Sequence, residues 1–129
     1  MKTFASLCIV LFLFSAFYAG CKDDNTTSPK IETGVDFTIT YSIIADTCYF
    51  YAAPSEDVKI DSLKSEYATA NWSYVYINSD PEYRFVKGTA YWIEWWYNLT
   101  RPATWKFTFW GRKYSNNSSY TTVKSFTVP

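Results

Sequence analysis

Histidine is absent from the 129 residues. Its absence removes the commonest general base and metal ligand, and with it any Ser-His or Cys-His nucleophile pair. Glycine is scarce, with four residues, so there is no Gly-rich phosphate loop. Charge of either sign is not in excess, since 12 basic side chains face 12 acidic ones. No Lys/Arg cluster interrupts that balance, which argues against nucleic acid as a partner, because such binding rests on phosphate neutralisation. Carboxylate pairs are the remaining catalytic option. Glu56 and Asp57 follow a Pro-Ser turn, and Asp80 and Glu82 flank Pro81. Both pairs read as solvated loop acids, and neither has calcium-loop spacing. The expectation is a chain that is not an enzyme, with no cofactor and no metal.

A long hydrophobic run is also missing. The uncharged stretch from Leu7 to Phe17 follows the basic start Met1-Lys2-Thr3. It falls short of the ~20 apolar residues that a membrane-spanning helix needs, but it suits the ~7–15 of a secretory signal. It ends in Ala19-Gly20-Cys21, which resembles a bacterial lipobox, with Tyr18 where that motif usually has Leu. The resemblance implies cleavage after residue 20 and lipidation of Cys21, and two or more acyl chains hold a protein firmly on a membrane. Lys22, Asp23 and Asp24 resemble the acidic export tag of surface-exposed lipoproteins. The expected location is the outer membrane with the protein facing the exterior; the periplasmic face and secretion are the other outcomes. Residues 21–30 are polar after the cysteine and read as a flexible tether. Once Cys8 leaves with the signal and Cys21 is acylated, only Cys48 remains, so no disulfide can form. One thiol cannot build a cysteine zinc site either. Cys48 lies in an apolar strand pattern and reads as a buried, inert thiol.

Residues 31–129 are enough for one domain. Aromatic residues make up 22% of the chain and favour pleated, half-buried surfaces. Val35, Phe37, Ile39, Tyr41 and Ile43 alternate with polar residues, as in a half-buried strand. Thr47 to Ala53 is a second apolar run, and Val58 to Asp61 alternates again. Trp72 to Ile77 is apolar on both parities, which predicts a central strand. Tyr83 to Phe85 is a short strand candidate, after a turn at Asn78-Ser79-Asp80-Pro81. From Tyr91 to Leu99, and again from Trp105, alternation is clear. Short strands with turns at roughly ten-residue intervals predict an all-β chain folded as one immunoglobulin-like sandwich of about seven antiparallel strands.

The end of the chain resembles the last two strands of bacterial immunoglobulin-like and fibronectin-III-like modules. Leu99, Pro102, Trp105, Phe107, Phe109 and Phe126 carry the resemblance, with Trp105 where the family often has a corner tyrosine. A shared fold says little about function.

The aromatics are the candidate functional feature. Strict alternation points Trp92 and Trp96 away from the core side of their strand, and Trp110 away on the next. Exposed indoles can stack on sugars or anchor protein interfaces. Glu94, Lys106 and Arg112 would form a polar rim. All three tryptophans share a surface if the two strands form a hairpin. If the chain crosses between sheets there, Trp110 lies on the opposite face. The competing reading is that these rings fill a second apolar layer. The expected role is a non-catalytic binding or adhesion module, anchored to the membrane by its lipid, with a glycan or an envelope protein as ligand. The alternative is a structural accessory subunit of a larger outer-membrane assembly. Sequons at Asn25, Asn71, Asn98 and Asn117 are incidental on the bacterial reading.

Overall fold

The computed structural model describes residues 34–129. The signal at 1–20, Cys21, the tag Lys22-Asp23-Asp24 and the tether to residue 30 lie outside the described residues. Seven strands follow in chain order: β1 (Phe37–Ile44), β2 (Thr47–Pro54), β3 (Val58–Tyr67), β4 (Trp72–Ile77), β5 (Tyr91–Tyr97), β6 (Ala103–Lys113) and β7 (Ser119–Val128). They form two antiparallel sheets, one of order β1-β2-β5 and one of order β4-β3-β6-β7. A 3-10 turn at Ala68–Ala70 joins β3 to β4.

Alternation explains most of the strands. In β2, Cys48, Phe50 and Ala52 are buried while Thr47, Tyr49 and Tyr51 stay half-exposed. In β6, Ala103, Trp105, Phe107 and Phe109 are buried, and Thr104 and Lys106 face solvent. The inward sets of the two sheets meet in one core. Phe37 of β1 stacks on Phe109 of β6, with ring centroids 4.0 Å apart. Trp105 sits at a second focus, 4.9 Å from Phe50 and 4.8 Å from the stacked ring of Tyr67. Such pairs add about 0.5–1.5 kcal/mol each beyond the burial of their area. Cys48 is buried, and desolvation raises its thiol pKa, as expected of an unreactive cysteine.

Turn chemistry accounts for three of the sequons. Asn71, Asn98 and Asn117 have φ of 49°, 50° and 62°. Asparagine tolerates this left-handed region better than most side chains do. Each of the three also donates its backbone N–H to a nearby carbonyl, of Ala68, Asp46 and Lys113 respectively.

Two expectations change. Trp72 to Ile77, predicted to be central, is an edge strand, and Ser73 to Ile77 are all exposed. The central position next to it belongs to β3, whose outer face is charged and paired. There, Glu66 bridges Lys64 and Lys106 at 3.0 Å each. A sheet with one wet face sets strand order by pairing, so hydrophobicity on both parities does not mark a centre. Tyr83 to Phe85 does not form a strand, and only an isolated bridge joins Phe85 to Val58.

Candidate functional site

The predicted aromatic constellation is divided by one residue. Strand β5 pairs Trp92 with Tyr51 but Glu94 with Phe50, so Ile93 is an extra residue, a β-bulge. A bulge shifts parity along its strand. Trp92 remains outside, 59% exposed, while Glu94 and Trp96 turn inward. Trp96, expected to point away from the core, packs 5.4 Å from each of Tyr67, Trp72 and Trp105. In its place Trp95 and Tyr97 face outward, at 51% and 59% exposure.

Trp110 follows the cross-over geometry and not the hairpin. Strands β5 and β6 belong to different sheets. Phe109 and Gly111 point into the core, which leaves half-buried Trp110 on the outer face of the four-stranded sheet. It is therefore on the opposite side of the sandwich from Trp92.

The expected polar rim does not assemble. Glu94 is 3% exposed and accepts the Tyr76 hydroxyl at 2.9 Å and the Trp95 backbone N–H at 3.0 Å. Burial raises the pKa of Tyr76 well above its usual value, and the adjoining Glu94 carboxylate raises it further. Lys106 pairs with Glu66, and Arg112 pairs with Asp61 and Glu82. The loop acids are likewise occupied. Asp57 accepts the Lys87 N–H and the Arg84 guanidinium, and both interactions lower its pKa. Glu82 pairs with Lys59 and Arg112. Among the described residues, no group of three His, Cys, Asp or Glu is placed to hold a metal ion.

What does assemble is the outer face of the three-stranded sheet. Register aligns three rows across it: Thr40, Tyr51, Trp92; then Ser42, Tyr49, Trp95; then Ile44, Thr47, Tyr97. Each row runs from a small or aliphatic residue on β1 to an aromatic ring on β5. No charged residue occurs in the rows. The tyrosines of β2 were visible in its alternation, since Cys48, Phe50 and Ala52 claim the opposite parity. Trp95 and Tyr97 were not, because nothing in the sequence marks Ile93 as a bulge. Beside this face, Trp92 and Ile93 also border an apolar cleft of about 270 Å³, closed on the other side by Tyr76 and Ile77 of β4.

Compared with known proteins, the chain matches no family model, and no curated protein sequence matches it significantly.

Proposed function

We propose that the chain is a lipid-anchored binding module of the bacterial cell envelope, built on an immunoglobulin-like sandwich and without catalytic activity. The strand arrangement supports the fold name with one difference. Constant-type immunoglobulin domains set four strands against three by placing the fourth strand with the first, second and fifth. Here β4 joins β3 instead, which favours the fibronectin-III-like branch of the resemblance. Anchoring rests on Ala19-Gly20-Cys21, and outward export on Lys22, Asp23 and Asp24.

The observation that carries the binding role is the uncharged aromatic face of β1-β2-β5. Trp92, Trp95 and Tyr97 are each more than half exposed on one sheet face, with Tyr49 and Tyr51 beside them in register. Contiguous exposed apolar surface marks binding sites in soluble domains. Flat rings flanked by the hydroxyls of Thr40, Ser42 and Thr47, with no ionised group among them, suit a neutral, hydroxyl-rich ligand. A glycan meets that description better than a charged partner does.

The test is binding of the full chain to a panel of immobilised neutral polysaccharides. At least one should be retained, and Trp92→Ala or Trp95→Ala should weaken it by roughly 30-fold, about 2 kcal/mol, as for an anchoring indole. Their melting temperatures should stay close to the parent's. If no polysaccharide binds and one envelope protein co-purifies at fixed stoichiometry, the accessory-subunit reading replaces this one.

A further inference from the structure

Among the described residues, strand β4 is an edge without protection. Natural edge strands are blunted by charge, proline, bulges or a covering segment. Trp72-Ser-Tyr-Val-Tyr-Ile77 has no charge and no proline, and its pairing with β3 runs from Tyr67↔Trp72 to Ser62↔Ile77 without a register shift. Its side chains are open to solvent, with Tyr74 54%, Val75 45% and Ile77 76% exposed. One side of the strand bonds to β3; among the described residues nothing pairs with the other, which offers a row of backbone N–H and C=O groups that another extended strand can satisfy.

We infer that this edge pairs with the β4 edge of a second copy of the chain, antiparallel about a two-fold axis, to make one continuous eight-stranded sheet. Geometry selects the register. Trp72, Tyr74 and Tyr76 lie opposite buried Tyr67, Ser65 and Leu63 and so face inward, whereas Ser73, Val75 and Ile77 face outward. Residues directly opposite in an antiparallel pair share a face. A two-fold axis must therefore pair residues of equal parity, which an axis on Tyr74 or on Val75 satisfies. Asn78, opposite Asp61, donates its N–H to the Asp61 carbonyl, so by the alternation of an antiparallel ladder Trp72, Tyr74 and Tyr76 bond toward β3, and Ser73, Val75 and Ile77 turn their N–H and C=O to the open edge. Only an axis on Val75 pairs these three with one another. With Val75 on the axis, Val75 meets its own copy, Tyr74 meets Tyr76 of the second copy, and Ser73 meets Ile77. That register makes two aromatic cross-strand pairs and places no like charges together, because the strand has no charge to repel its copy. Self-pairing is thus matched in charge as well as in hydrogen bonding. The axis stands perpendicular to the sheet, so the outer β1-β2-β5 faces of both copies point to the same side. This pairing is independent of what those faces bind, but it would present them as a bivalent surface.

The test is site-directed cross-linking in the full chain with a short bifunctional thiol reagent, read against the parent chain for the background from Cys8, Cys21 and Cys48. Val75→Cys should give a covalent dimer in good yield. Ser73→Cys alone should not, because it faces residue 77 of the second copy, and the double variant Ser73→Cys/Ile77→Cys should. Sedimentation of the Val75→Lys variant, which puts two ammonium groups on the axis, should show half the parent mass with an unchanged circular dichroism spectrum. A parent that sediments as a monomer, or equal cross-linking at positions 73 and 75, would overturn the inference. So would a Val75→Lys variant that still dimerises.

Discussion

The phenol of Tyr76 is shared between the two carboxylate oxygens of Glu94, at 2.9 and 3.1 Å. It ties β4, the edge of one sheet, to β5, the edge of the other. Among the described residues Glu94 has no cationic partner, and this bond and the Trp95 N–H are what compensate its burial. Tyr76→Phe removes the stronger donor and leaves a buried carboxylate under-satisfied. The expected loss is about 1–3 kcal/mol, measured by urea unfolding at neutral pH. Glu94→Gln in the Tyr76→Phe background should recover part of it, since the amide is less costly to bury.

The same tyrosine fixes the alkaline limit of the fold. Burial, then the neighbouring Glu94, raises the pKa of Tyr76. Burial, then Asp61 and Glu56, raises that of Tyr120. For both, the folded value lies above the unfolded one near 10. Their contribution is therefore complete below about pH 10 and is lost as pH climbs toward the folded values. Urea midpoints should fall above pH 10, and Tyr76→Phe should lessen the fall. A slope unchanged in that variant would refute the assignment to Tyr76.

Ser65 is fully buried, and its hydroxyl has no hydrogen-bond partner among the described residues. An unpaired buried polar group costs stability that an apolar replacement of similar shape does not. Ser65→Ala should raise stability by about 1 kcal/mol, seen as a higher melting temperature. A lower one would mean that the hydroxyl finds an acceptor in solution.

Gly111 is required by contact and not by conformation. A Cβ there would lie 2.1 Å from the Lys59 carbonyl oxygen and 2.7 Å from the Tyr120 hydroxyl. Since the nearer atom is backbone of the adjoining strand, β3 would have to move. Gly111→Ala should cost about 1–3 kcal/mol, in the range of core overpacking, and calorimetry of the variant checks it.

Much of the fold was legible because one face of each sheet is wet. Phe37, Ile39, Phe50, Trp105 and Phe107 announce the core by period two alone. Strand order was less legible, since the apolar parity of Trp72 to Ile77 describes an edge as well as a centre, and only pairing decides. The candidate surface was half legible. Trp92 was placed by alternation, and Tyr49 and Tyr51 could have been. Past Ile93 the parity inverts, and Trp95 and Trp96 exchange roles. No side chain in "YWIEWWY" encodes that inversion; it arises where β5 must match both Tyr51 and Phe50 across the sheet. Trp105, where the sequence resemblance expected a corner tyrosine, has a buried indole N–H with no acceptor among the described residues.

The central claim is that ligand is held on the β1-β2-β5 face. Titration calorimetry of a retained polysaccharide into Trp95→Ala and Trp110→Ala compares the two faces directly. The account predicts that Trp95→Ala loses roughly 30-fold in affinity, while Trp110→Ala, on the opposite sheet, binds as the parent does. Equal affinity for parent and Trp95→Ala, or a loss confined to Trp110→Ala, would contradict it.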